Sequence, residues 1–182
     1  MERQCQVPHG RARRAGGFTL LELMVSIVIF SIGLLGLGLL MASAVRSNHV
    51  GMLHTQATFA AETVLDRMRA NVVAIWNDDY NDTVNVATAV PGVACDSASP
   101  CTPAQVAARD MYAWGQLLGQ LLPAGEGTVE CAPRAGATIP TASQLRTVPI
   151  YDGLCTITVN WNENTETATG VVAQTFQWIV QP

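Results

Sequence analysis

Lysine is absent from this chain, and its ten cationic residues are all arginine, set against 14 acids. The arginines are scattered and form no stripe. Nucleic-acid affinity rests on cations that neutralise phosphates, so an acidic chain of this kind is a poor nucleic-acid partner. No charged residue occurs in the 23 positions from Leu23 to Val45, and no proline occurs between Pro8 and Pro91. The first absence makes a membrane segment; the second permits one long helix. No glycine-rich phosphate loop follows a strand, and no serine or cysteine has the local context of a nucleophile. His49 and His54, five apart on a helix, share a face badly. The chain therefore reads as a non-enzyme with no catalytic constellation, no cofactor and no metal.

What is present is concentrated near the N-terminus. Arg11, Arg13 and Arg14 precede Gly16-Gly17-Phe18-Thr19-Leu20-Leu21-Glu22-Leu23, which opens the apolar run. About 20 apolar residues cross a bilayer as a helix. Arginine lies mainly before the span and only Arg46 follows it closely, which leaves the leader in the cytoplasm and sends the C-terminal part outward. A secretory signal has a shorter apolar core with its small-residue cleavage site beyond it. Here the small residues come first. Glu22 is the only acid near the span, and intramembrane carboxylates usually have a partner. If the chain is cut before Phe18, the new amine lies about one helical turn away, roughly 6 Å along the axis. A carboxylate that merely reaches headgroup water is the plainer reading.

Loss of residues 1–17 would leave 6 arginines against 13 acids, a formal charge of −7. It would also remove Cys5 and leave Cys95, Cys101, Cys131 and Cys155 in the exported part. Oxidising compartments favour disulfides, and four cysteines allow three connectivities. Cys95–Cys101, closing a small loop, and Cys131–Cys155, tying two strands, are the favoured pairs. Zinc is the rival, but its usual C-x₂₋₄-C spacing is missing. Free buried thiols are the third alternative.

The leader is taken as 1–17, the membrane and assembly helix as 18–45, its outer half as 46–75 and the globular part as 76–182. Leu53, Ala57, Ala60, Val64 and Met68 recur at steps of four and three, giving the outer half one buried stripe. Helix is expected from Phe18 to about Val73, with Asp66 and Arg69 paired weakly across one turn. Gly33, Gly36 and Gly38 suit a joint or a close-packing face, or are simply tolerated in a membrane helix. Residues 76–101 read as an irregular connection. Its Asp79-Tyr80-Asn81-Asp82-Thr83 stretch lacks the glycine and terminal glutamate of an EF-hand loop and is taken as a solvated turn.

A second helix starts sharply. Thr102 caps, Pro103 suits the first position and Gln105 completes a capping box. Its stripe is Ala107, Met111, Trp114, Leu118 and Leu121, stopped by Pro123 and Gly125. Cys155, Ile157, Val159 and Trp161 alternate with polar residues as a half-buried strand. Residues 171–180 form another, with Val172, Phe176 and Trp178 facing inward, joined by a loop from Asn162 to Gly170. Gly127–Cys131 is a shorter strand and Thr147–Tyr151 an edge. The fold class is α+β, a long N-terminal helix packed on three or four antiparallel strands with one extra amphipathic helix.

The Gly17-Phe18 junction, Glu22 and the apolar run resemble the class III signal of type IV prepilins and pseudopilins. Gly33-Leu34-Leu35-Gly36-Leu37-Gly38, Asp66-Arg67-Met68-Arg69-Ala70-Asn71 and Thr156-Ile157-Thr158-Val159-Asn160-Trp161 are similar to PilV-type minor pilins, the type IV pilus modification proteins. The resemblance implies a cut between Gly17 and Phe18 by a prepilin peptidase that also methylates the freed amine. It implies that Glu22 supports methylation and docking, and that the chain joins other minor pilins, the major pilin and a tip adhesin. Its place is then the inner membrane with a periplasmic C-terminal part, and the pilus tip after assembly. A minor pseudopilin of a type II secretion system, a membrane-anchored periplasmic enzyme or binding module, and a DNA-capturing pilin are the rival readings; the charge of −7 argues against the last.

Overall fold

The computed structural model describes residues 17–92, 94–95, 99–145, 147, 150–164 and 170–182. Packing divides the chain into residues 1–46 and residues 47–182. The first unit contains the start of helix α1 (Leu20–Ala70). From Gly17 to His49 every side chain is exposed. It is the one described helix long and apolar enough to cross a membrane. Its polar side chains satisfy themselves: the Ser26 hydroxyl donates to the Glu22 carbonyl and that of Ser31 to the Ile27 carbonyl, both at 2.7 Å. Such bonding back one turn removes the cost of a bare hydroxyl in lipid. The helix runs unbroken through Gly33, Gly36 and Gly38, and a Cβ at any of them would meet nothing within 4 Å.

The second unit is built on the rest of α1. Leu53, Ala57, Ala60, Val64 and Met68 are all buried, as their spacing requires, and Ala61 and Leu65 widen the stripe. Asp66 and Arg69 lie 3.6 Å apart on the exposed side. The helix ends at Ala70, earlier than the pattern suggests. Asn71 leaves helical geometry and a short helix α2 (Val72–Trp76) follows. The Asn71 side-chain amide donates to the Pro103 carbonyl at 2.8 Å, so a tertiary contact holds the break.

The connection that follows contains a strand, β1 (Asp82–Asn85). Helix α3 (Pro103–Leu121) carries both bonds of the expected capping box. Strands β2 (Glu126–Pro133), β3 (Gly153–Asn164) and β4 (Val171–Val180) complete an antiparallel sheet in the order β1-β2-β3-β4. A short helix, α4 (Ala142–Leu145), lies between β2 and β3. Thr147, Ile150 and Tyr151 join no strand, and β1 takes the edge position expected of them. The expected loop from Asn162 to Gly170 begins later, because β3 continues to Asn164; residues 165–169 lie outside the described residues.

One face of the sheet meets the helices. Gly127, Val129 and Cys131 of β2 and Cys155, Ile157, Val159 and Trp161 of β3 are buried in strict alternation. Trp114 fixes the packing of α3 between α1 and the sheet. It is fully buried, and its indole N–H donates to the Ala60 carbonyl at 2.9 Å. Its ring lies over Gly127, where an added Cβ would overlap it. The Ala60 carbonyl and glycine at 127 thus border the slot that a tryptophan fills.

Candidate functional site

The N-terminal candidates sit where helix geometry begins. Gly17, Phe18 and Thr19 precede α1 and are not helical. The Thr19 hydroxyl accepts the Glu22 backbone N–H at 3.3 Å, and the Thr19 carbonyl accepts that of Leu23 at 3.2 Å. Thr19 is therefore the cap of α1, and it satisfies a donor that a helix start otherwise leaves bare. Glu22 lies in the first turn, where the positive end of the helix dipole favours a carboxylate. The S/T-x-x-E pattern of Thr19 and Glu22 was visible in the sequence as the start of a capping box, a signal the sequence reading leaves unused. Phe18 is 83% exposed, so the residue beside the junction has no packing that would shield it.

The structure joins Cys95 to Cys101 with Cα atoms 5.3 Å apart, and Cys131 to Cys155 at 4.0 Å. Cys131 and Cys155 are direct register partners of β2 and β3. Asn81 reinforces that point. Its side-chain oxygen accepts the Cys131 N–H at 2.7 Å and its amide donates to the Cys131 carbonyl at 3.0 Å. The side chain thus stands in for one more residue of strand β1. A bridge closing a loop of this length constrains the unfolded chain by about 3 kcal/mol. We expect the oxidised protein to show no free thiol outside the leader and to yield four after denaturing reduction; a thiol titration that finds four before reduction would overturn the pairing.

The acidic turn is solvated as expected at Asn77, Asp78, Asn81, Asp82 and Thr83, but one residue within it is not. Tyr80 is fully buried and its hydroxyl donates to Asp110 at 2.8 Å. Arg67 of α1 donates to the other Asp110 oxygen at 3.0 Å. Burial, then the hydrogen bond to the Asp110 carboxylate, pushes the Tyr80 hydroxyl well above its ordinary range, so it stays a donor. This node ties α1, α3 and the turn before β1. Sequence reading missed it because its members are 30 and 43 residues apart. The remaining carboxylates serve the loop: Asp78 accepts from the Asn81 amide and Asp82 from the Thr83 N–H. Burial raises the pKa of Asp79, the hydrogen bond from Asn77 opposes it, and Asp78 adds to the rise. Among the described residues no group of three or more His, Cys, Asp or Glu is placed to hold a metal ion.

His54 and His49 remain separate in role. His54 meets Trp161 edge-on at 5.0 Å between ring centres and lies 4.0 Å from Glu163. Glu163 is nearly buried and accepts the Trp161 indole N–H at 3.1 Å. This cluster fastens the end of β3 to α1.

Residues 12–44 match the family model described as the prokaryotic N-terminal methylation motif. No curated protein and no solved structure matches the chain. The matched segment includes Gly17, Phe18 and Glu22 and continues through most of the apolar run. The motif is that of a type IV prepilin-like protein processed by prepilin peptidase, and it fits membrane anchoring with a periplasmic C-terminal part. Together with a long N-terminal helix packed on a small antiparallel sheet, it supports a pilin or pseudopilin.

Proposed function

We propose that this chain is a minor pilin of the PilV type. Its leader, residues 1–17, is cut between Gly17 and Phe18, and the freed amine is methylated. The mature subunit then joins other minor pilins in a complex that primes pilus assembly and stays at or near the tip, beside the major pilin and a tip adhesin. The observation that carries this reading is a lone first-turn carboxylate, Glu22, ahead of a helical stretch, residues 23–45, that has no charge and whose side chains are all exposed. Such a helix is stable in lipid and equally stable in a bundle of similar helices. It can leave one for the other without changing its internal hydrogen bonds, since all of them lie within the segment. Glu22 then pairs with the amine of a neighbouring subunit. The apolar residues Leu20, Leu23, Val25 and Ile27 pack against adjacent helices.

The mature N-terminus tests this directly. Mass spectrometry of protein from the native membrane should give a chain that begins with methylated Phe18. An intact Met1, or a cut beyond Val45, would defeat the proposal. The identity of the subunits that co-purify separates a pilus from a type II secretion system: major and minor pilins support the reading, and a pseudopilin set replaces it.

A further inference from the structure

The two disulfides stand in opposite settings. Cys131 and Cys155 join the central strands β2 and β3, with 7% and 0% exposure, and the Asn81 side chain occupies both backbone groups of Cys131. Cys95 and Cys101 are half-buried, and Ala94, Ser99, Pro100 and Thr102 beside them are exposed. Exchange needs a thiolate to reach a sulfur, so access decides which bridge can open. Cys95–Cys101 also pins a strap. Residues 86–92 leave β1 and run along α3 against its direction: Val86 lies on Gly119, Ala89 on Gly115 and Gly92 on Arg109. A Cβ added at any of the three glycines would come within 2.9 Å of its neighbour. The approach is close, yet it covers little apolar surface, for Val86 is 55% and Val90 75% exposed. A long hydrogen bond, from the Gln116 amide to the Val86 carbonyl at 3.4 Å, crosses to the helix. Segments with few buried apolar contacts are the first to open in a folded protein. The strap is fixed at its start by the pairing of β1 with β2. Beyond residue 92 it is fixed by the bridge to Cys101, next to the Thr102 cap of α3.

We propose that Cys95–Cys101 is a thiol–disulfide exchange site for a dithiol, and that opening it frees residues 86–92 from α3. One thiolate of the dithiol attacks a sulfur of the pair; the S–S bond breaks and a mixed disulfide forms. The second thiol of the reductant then displaces the protein sulfur. Cys95 and Cys101 end as thiols, the dithiol ends as its own disulfide, and two electrons have passed to the protein. The opening stays local, because α3 is tied down elsewhere. Trp114 donates to Ala60, Arg67 and Tyr80 donate to Asp110, and Asn71 donates to Pro103. The sheet keeps its buried bridge throughout, since structural cysteines out of reach of solvent are inert. This site does not depend on the assembly role proposed above.

Dithiothreitol added without denaturant to the full chain in detergent, in a Cys5→Ser background, tests both parts. Alkylation followed by mass mapping should find Cys95 and Cys101 reduced about a hundredfold faster than Cys131 and Cys155, because a buried bridge is reached only when the fold opens. Thermolysin cleavage before Val90 should then rise about tenfold, as cutting tracks the population of the opened segment, while α3 and β3 stay uncut. A chain carrying both Cys95→Ser and Cys101→Ser should show the same cleavage with no reductant present, which separates loss of the bridge from any other action of the dithiol. Equal reduction rates for the two bridges, a Cys95–Cys101 pair that opens only in denaturant, or unchanged cleavage of the strap once that pair is open would each overturn the proposal.

Discussion

Glu22→Ala should leave the chain in the membrane at its normal amount and cut its recovery in sheared pili about a hundredfold. Insertion depends on apolar length, which the substitution slightly improves. Incorporation depends, in our proposal, on a carboxylate that meets an amine where water is scarce. Removing one partner of such a pair leaves the other charge uncompensated, at a cost of about 3–5 kcal/mol. Each 1.4 kcal/mol is about tenfold in an equilibrium, so even the lower figure gives roughly that loss. The cap at Thr19 offers a competing explanation, because Glu22 is also the first-turn acid of α1. Glu22→Gln separates the two. Glutamine keeps the capping chemistry and loses the charge. It should fail nearly as badly as alanine. Normal pilus number and subunit recovery in Glu22→Gln would sink the pairing and leave Glu22 a capping residue.

Trp114→Ala should lower the melting temperature of the detergent-solubilised protein by about 10 °C or more. Truncating a fully buried tryptophan removes transfer energy and leaves a cavity, typically about 3–5 kcal/mol. The Ala60 carbonyl and the Gly127 backbone are fixed walls of the site, and Leu118, whose side chain also lies over Gly127, can close only part of the gap. Trp114→Phe should recover more than half of the loss, since it refills most of the volume and gives up the N–H donated to Ala60. Circular dichroism on heating measures both. A shift under about 2 °C for Trp114→Ala, far less than a cavity of this size costs, would mean that α3 is not held by this contact.

Those contacts indicate which parts of the molecule were legible beforehand. The α1 stripe and the α3 capping box are local patterns, each complete within a few turns, and Leu53 through Met68 and Thr102 through Gln105 follow them closely. β3 alternates strictly enough to be read on its own. β1 does not: Val84 is its one apolar residue, and the strand exists because β2 lies alongside and Asn81 grips Cys131. The end of α1 at Ala70 depends on a bond from Asn71 to Pro103, 32 residues away. Val172 was expected to face inward with Phe176 and Trp178, yet it is exposed. β2 ends at Glu126, opposite Asn160, whereas Val172 lies opposite Glu163, so the sheet below it has already run out. The polar node of Arg67, Tyr80 and Asp110 has no local signature either. At the N-terminus, Gly17, Phe18 and Glu22 could be picked out from their setting, and the role of Thr19 needed the helix start to be seen.

That helix start has a bearing on how the precursor is handled. Because Thr19 holds the first turn at Leu20, the Gly17–Phe18 amide stays outside the rod. Proteolytic enzymes take hold of a substrate as a drawn-out strand, and a coiled peptide must first be unwound. If the leader is cut there, as we propose, no unwinding of α1 is required, and the rod can stay coiled through the step.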